Sequence, residues 1–213
     1  MDGSEQGSIA APQRRTAFGQ EWRPTPVDRF GIWLSSRRIE RALAPVAGTR
    51  LLDIGSGFHA TTARRFLGRA AAVTVVDLAL SDALKADPRV QCREGRLPEA
   101  LDDIPAGSVD RVVFNNVLEH LWERQRAVDA VHRILAPGGV AFINVPSWRG
   151  KVALEFAAFR LGVSPAAEMD DHKTYFDPRD LWPMLVAAGF KPSAITCRRH
   201  KFGLNTFAVC RRG

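Results

Sequence analysis

Two carboxylates and a glycine turn stand at a spacing suited to holding a nucleoside. Gly55-Ser56-Gly57-Phe58-His59-Ala60 fits the pattern G-x-G-x-x-G/A, the apolar run Leu51-Leu52-Asp53-Ile54 leads into it, and Asp77 lies 20 positions beyond Gly57 at the end of the next apolar run. Glycines let a backbone approach a ligand closely, and the later acid accepts hydrogen bonds from ribose hydroxyls. A dinucleotide would bring a pyrophosphate to the N-terminus of the following helix, where free N–H groups favour anions. Asp53, two residues before Gly55, offers negative charge there instead. That favours a ligand with positive charge and no phosphate. S-adenosylmethionine meets the description: Asp53 can favour its sulfonium and ammonium directly or through water, while Asp77 takes both ribose hydroxyls.

The remaining residues with acid–base capacity near neutral pH are five histidines. A hydroxyl acceptor benefits from a base within about 3 Å, whereas an amine or thiolate needs only its deprotonated form. His120 follows the fourth apolar run by about six residues, and His172 stands in Asp170-Asp171-His172-Lys173-Thr174-Tyr175-Phe176, where either aspartate can orient its ring. His59 opens the segment after the glycine turn, His132 falls mid-helix and is expected to face solvent, and His200 belongs to a basic turn with Arg198, Arg199 and Lys201. Cys92, Cys197 and Cys210 lack the paired short spacing of a zinc or redox site, so reduced thiols are expected and no metal site is indicated.

These groups need a scaffold, and the pattern supplies alternating strands and helices. Residues 1–22 read as a flexible leader outside the fold, because Gly, Ser, Gln, Pro and Arg mix there without apolar period. Arg37–Leu43 is a short helix, Leu51–Ile54 a buried strand, His59–Leu67 a helix, Ala72–Val76 a strand and Ala79–Lys85 a helix. Val90–Arg93 and Val109–Phe114 are strands, Trp122–Leu135 is a helix stopped by Pro137-Gly138-Gly139, and Val140–Val145 is a fifth strand. Pro178–Ala188 is the last helix, and Ala194–Arg199 with Thr206–Cys210 forms a terminal hairpin. Five strands separated by helices predict a doubly wound, Rossmann-like α/β sheet, mostly parallel, with an antiparallel C-terminal hairpin and ligands beyond the carboxyl ends of the strands.

Composition agrees with such a chain. At 213 residues with 46% hydrophobic and 25% charged content, it is long enough for one full core and excludes disordered, collagenous and coiled-coil classes. Its net charge of +7 admits an anionic partner without choosing among nucleic acid, phosphorylated substrate and acidic membrane. No apolar stretch reaches the ~18 residues of a membrane span, and no export signal is evident, so a cytoplasmic location is expected. Residues 23–213 are expected to form a single domain, with an acceptor-side insert at about 147–177. Its part Ser147–Leu161 is too apolar for an ordinary surface connection, and reads as a lid or as an interfacial surface with Arg149, Lys151 and Arg160 near headgroup or pyrophosphate charge.

Leu51-Leu52-Asp53-Ile54-Gly55-Ser56-Gly57 resembles the first motif of class I S-adenosylmethionine-dependent methyltransferases. The resemblance continues through Asp77, Val109-Asp110-Arg111-Val112-Val113, Asn116-Val117-Leu118-Glu119-His120-Leu121 and Arg133-Ile134-Leu135-Ala136-Pro137-Gly138-Gly139, covering about residues 37–190. It implies S-adenosyl-L-methionine as cofactor. It implies that Gly55, Ser56, Gly57 and Phe58 line the methionine part, that Asp77 with Leu78 holds the ribose, and that Asn115 and Asn116 contact the methionine end. One departure concerns the stretch after the third strand, Glu94-Gly95-Arg96-Leu97-Pro98, where the family often has an aspartate for the adenine amino group. Arg96 cannot accept that bond, so a backbone carbonyl must, or Arg96 stacks on the ring with Leu97 beside it.

The resemblance also places Glu119-His120 near the reactive end and His172 in the acceptor-facing loop, making His172 and His120 the candidate catalytic residues. Residues 168–177 and 204–207 resemble methyltransferases that accompany polysaccharide assembly. The expected activity is methyl transfer to a hydroxyl of a small molecule or glycoconjugate, which can be lipid-linked and reached by peripheral membrane contact. A nucleic-acid methyltransferase is the alternative that the positive charge favours, although the Asn-Pro-Pro-aromatic motif is absent where Asn115-Asn116-Val117-Leu118 stands. A cofactor-binding partner protein without turnover is the third reading.

Overall fold

A computed structural model describes residues 16–20, 26–152 and 172–213. Among these, helix α1 (Pro26–Leu43) precedes strand β1 (Arg50–Ile54), and β2 (Ala72–Asp77), α2 (Asp82–Lys85), β3 (Val90–Glu94) and β4 (Val109–Asn115) follow. Then come α3 (Arg124–Ile134), β5 (Leu135–Pro146), α4 (Pro178–Ala187), β6 (Ile195–His200) and β7 (Asn205–Arg211). The seven strands lie in the order β3-β2-β1-β4-β5-β7-β6. The first five run parallel, and β7 inserts antiparallel between β5 and β6. This is the doubly wound architecture with its terminal hairpin, as the alternation of runs predicts.

Because β1 lies between parallel neighbours covered on both faces, its side chains serve two cores in turn. Leu52 and Ile54 pack on one face with Val112 and Phe114, under Val128, Val131 and Ile134 of α3 and Leu181 and Leu185 of α4. Leu51 packs on the other with Val73, Val75 and Phe142, under Ile39 and Leu43 of α1. Asp53 falls on that second face by the two-residue period of a strand, a carboxylate where an apolar residue would otherwise sit.

Several boundaries differ from expectation for physical reasons. His59–Leu67 is not a helix: a single 3₁₀ turn, Ala63–Phe66, is all that forms. Ala60 has φ of 45°, outside helical geometry, and β-branched Thr61 and Thr62 follow it. The glycine turn therefore does not feed a helix N-terminus. α1 extends well before Arg37, and α3 ends at Ile134, where Leu135 turns extended and starts β5 at once. Pro137-Gly138-Gly139 lies inside that strand as an irregularity, Gly138 taking φ of 75°, which glycine adopts at no steric cost.

α4 starts on a capping box between Asp177 and Asp180, with Pro178 at its first position, and Arg199 of the hairpin pairs with Asp177 at 3.0 Å. The helix is thereby fixed to the terminal hairpin.

Candidate functional site

Where the strand order reverses between β1 and β4, the carboxyl ends leave a cavity of about 500 Å³. Gly55 reaches it from β1, Asp77 and Leu78 from β2, and Gly95, Arg96, Leu97, Pro98 and Glu99 from the loop after β3. Asn116, Val117 and residues 120–123 come from the loop after β4, Lys173 from the segment before α4, and Phe18 from the N-terminal side. A volume of this size is in the range of small-molecule and cofactor sites.

The glycine turn is built for close approach. Gly55 and Ser56 donate to the Val76 carbonyl at 2.8 and 3.2 Å, and Gly55 has φ of 66°. A Cβ added at Gly55 would run into the Val117 side chain. Gly57 also has positive φ and donates to Asp77 Oδ2 at 2.7 Å, while Leu78 N–H donates to Oδ1 at 2.7 Å. Two backbone donors thus fix the Asp77 carboxylate at the cavity wall.

Asp53 stands behind the turn, only 2% exposed and off the cavity wall. Burial foremost, then the negative charge of Asp77, push its carboxyl up to about 8, and a backbone hydrogen bond from Ala63 offsets part of this. Its Oδ2 is buried with no hydrogen-bond partner among the described residues. A buried acid of that kind has unspent capacity to stabilise a nearby positive charge.

Asn116 takes φ of 56° at the cavity wall, and its side-chain oxygen accepts from Asn144 Nδ2 at 2.9 Å. The same amide donates to Asn115 Oδ1 at 3.0 Å. Asn115 is thus tied into a side-chain cluster and does not line the cavity; neither do Ser56, Gly57 and Phe58. Asn144 is 1% exposed and orients both partners, a role no spacing in the chain signals.

Glu94 is not directed to a ligand. It accepts from Leu80 N–H at 2.7 Å and pairs with Lys85 at 2.8 Å, which holds its carboxyl below the usual range. Arg96 and Leu97 remain as the wall on that side. The Arg96 carbonyl is taken by Ala100 N–H at 2.7 Å.

On the acceptor side, His120 lines the cavity and His172 does not. Although 52 positions separate them in the chain, the two rings are neighbours, with centroids 4.8 Å apart. His172 Nδ1 lies 3.1 Å from the Tyr175 hydroxyl. Asp170 and Asp171, expected to orient His172, lie outside the described residues, as does most of the apolar insert. His132 packs edge-on against Phe190 at 4.8 Å and is half-buried rather than solvent-facing. His200 is half-buried against Phe207.

Phe18, Trp122 and Lys173 are among the wall residues that escape sequence reasoning. Phe18 belongs to the stretch read as a leader, yet its carbonyl accepts from Phe58 N–H at 2.8 Å and it lines the cavity. Trp122 and Lys173 meet at the mouth, the Lys173 ammonium 5.6 Å from the indole centroid. Only the apolar character of Phe18 and Trp122 in otherwise polar surroundings marks them in the sequence.

A family model described as a methyltransferase domain matches residues 28–194. The chain belongs to the methyltransferase domain family. S-adenosylmethionine is its cofactor, and the glycine cradle, the orphaned Asp53 oxygen and the pinned Asp77 carboxylate fit that ligand. Among curated relatives, a probable S-adenosylmethionine-dependent methyltransferase of Mycolicibacterium smegmatis is 29% identical over 154 residues, covering 68% of this chain and 53% of that protein. A ubiquinone biosynthesis O-methyltransferase of Paracidovorax citrulli is 33% identical over 134 residues, covering 58% of this chain and 56% of that protein. The methyltransferase chain thus spans about half the length of these relatives. Among solved structures, the [4+2]-cyclase SpnF superposes with a TM-score of 0.65 at 13% identity, over 93% of this chain and 86% of that one. At that identity the likeness concerns the fold alone, and a protein named for cyclisation shows that this methyltransferase fold does not by itself name a reaction.

Proposed function

We propose that this methyltransferase moves the methyl group of S-adenosylmethionine to a hydroxyl of a small molecule, with a sugar or lipid-linked glycoconjugate as the acceptor class. The observation that carries the reading is the placement of His120 on the wall of the same cavity that Gly55 and Asp77 enter. The proposed cofactor end and the proposed acid–base end thereby share one cavity.

When bound, the cofactor supplies an electrophilic methyl whose C–S bond breaks as the new bond to oxygen forms. In the proposed site Gly55 meets the methionine part at the cavity wall, with Ser56, Gly57 and Phe58 completing the turn behind it, Asp53 favours its positive charge from behind, and Asp77 with Leu78 receives the ribose. Arg96 and Leu97 flank the adenine, and Asn116, held by Asn144 together with Asn115, presents its backbone to the methionine end. Displacement at a sulfonium is dominated by alignment, so most of the rate comes from holding the two ends in line. The acceptor proton must still leave, and the proposal puts the hydroxyl that loses it beside the His120–His172 pair.

The finer acceptor reading draws on the apolar and basic surface at residues 148–152 and 201–204, and on the relative named as a ubiquinone biosynthesis O-methyltransferase, an enzyme of hydroxyl chemistry. Incubating the protein with cofactor labelled in its methyl group and a fractionated lipid and polar extract tests it. Label in an alkali-stable ether of an extractable small molecule supports the reading; label only in nucleic acid, or none in any fraction, refutes it.

A further inference from the structure

Glu119 and His120 occupy a 3₁₀ turn after β4, and His172 lies 52 positions later in the chain, yet one ligand-capable atom from each falls within 4.8 Å of the other two. The meeting is held by the backbone. Lys173 N–H donates to the Glu119 carbonyl at 2.7 Å, which ties the segment before α4 to the turn. Glu119 is 1% exposed, so its carboxylate sits where water screens poorly and a cation gains most. The Tyr175 hydroxyl, 3.1 Å from His172 Nδ1, is the kind of outer contact that sets the tilt and tautomer of a ligating imidazole, with Nε2 then the ligating atom.

We propose that Glu119, His120 and His172 bind one divalent first-row metal ion at the acceptor end of the cavity. Two imidazoles and one carboxylate suit Mn²⁺, Fe²⁺, Co²⁺ or Zn²⁺, whereas Ca²⁺ demands more oxygen ligands than this cluster has. Ligand bonds of about 2.1 Å place adjacent donors roughly 3 Å apart, so the cluster must tighten by small side-chain rotations, for which half-exposed His172 has room. Three protein ligands leave coordination positions open toward the cavity that His120 lines. An acceptor hydroxyl in one of them is polarised by the ion, and its O–H bond gives up the proton to solvent water at lower pH than the free alcohol would. This rests on the methyl-transfer reading and deepens it: the imidazoles hold the ion, and the ion lowers the barrier that a free base would otherwise lower.

Titration of the chelator-treated full chain with Co²⁺ tests the site by the visible absorption that the coordinated ion acquires, with binding of S-adenosylhomocysteine measured in parallel by calorimetry. One equivalent of Co²⁺ is expected, weakened at least tenfold in His120→Ala and in His172→Ala, with nucleoside affinity within twofold of wild type in His172→Ala. Glu119→Gln keeps the shape of the buried side chain and is expected to weaken Co²⁺ similarly. Failure of the wild-type protein to take up Co²⁺ while it binds the nucleoside overturns the metal site and leaves methyl transfer intact. Undiminished Co²⁺ uptake in both histidine variants overturns it too, since the ion then lies elsewhere. Uptake at this cluster without nucleoside binding upholds the site and overturns the functional reading instead.

Discussion

Asp53 and Asp77 are one residue type in two opposed environments. Asp77 accepts hydrogen bonds from two backbone donors, whereas Asp53 is buried, faces the Asp77 charge and has its carboxyl pushed up to about 8. Between the ordinary carboxylate value near 4 and about 8, the folded protein keeps a proton that the unfolded chain has shed, so the ligand-free fold loses stability as pH rises through that window. Binding of a cation draws the other way, because it favours the ionised form. Affinity for S-adenosylmethionine is therefore expected to rise from pH 6 to about 8, by up to about tenfold per unit, and then level off, with proton release on binding. Calorimetry in buffers of different ionisation enthalpy measures both. Asp53→Asn should abolish the slope, and an equal slope in that variant would assign the effect to the ligand. For Asp77→Ala the ribose bonds to a charged acceptor are lost, so nucleoside affinity should fall by about 1.5 to 3 kcal/mol in the same instrument.

At the scale of elements, the turn after β1 depends on one missing side chain. Gly55 combines φ of 66° with a Val117 side chain pressed against the space a Cβ would fill. Gly55→Ala is expected to cost about 1 to 3 kcal/mol of stability for the left-handed backbone, read from denaturant unfolding, and to reduce nucleoside binding below detection by displacing Val117 into the cavity. Adding Val117→Ala should restore part of the binding but little of the stability, which separates the clash from the backbone strain. This turn was legible in the sequence because β1 is a short, mostly apolar run, broken only by Arg50 and Asp53, that leads straight into glycine. The same reading failed one element later: 59–67 has helical composition, but Ala60 leaves helical geometry and only a 3₁₀ turn survives. Composition reports propensity, and tertiary context overrides it. The acceptor side was legible in its parts, His120 and His172, but not in its arrangement. Their 4.8 Å approach depends on a hydrogen bond between backbones more than 50 residues apart. Phe18 and Lys173 were missed for the same reason: a residue that reaches a site by long-range packing has no periodicity of its own.

Over the whole molecule, several of the apolar side chains left in solvent belong to stretches that meet around the β6–β7 turn. Phe202 is 93% exposed at the tip of the β6–β7 turn, and Trp148, Val152, Phe30 and Trp33 are exposed as well. They come from separate stretches that touch: Ser147 N–H donates to the Leu204 carbonyl at 2.9 Å, and the Lys201 ammonium lies within 3.7 Å of a Cβ built on Gly31 of α1. Arg37 covers Trp33 and Arg149 lies beside Gly203, so positive charge borders the apolar tips. With a net charge of +7, this combination suits an anionic bilayer surface, where each basic residue near the headgroups contributes about 1 kcal/mol and inserted aromatics add apolar burial. No helix among the described residues is long and apolar enough to cross a membrane, so the contact proposed is peripheral. The protein is expected to sediment with vesicles rich in phosphatidylglycerol and not with phosphatidylcholine alone, and to be released as salt shortens the screening length. Phe202→Asp should weaken vesicle binding severalfold while S-adenosylhomocysteine affinity stays unchanged, because the turn lies outside the cavity wall. Equal sedimentation of wild type and variant would mean that the surface is held by charge alone, and loss of nucleoside affinity in the variant would mean that the turn supports the cofactor site instead. A methyltransferase that docks in this way would meet a lipid-linked acceptor at the interface.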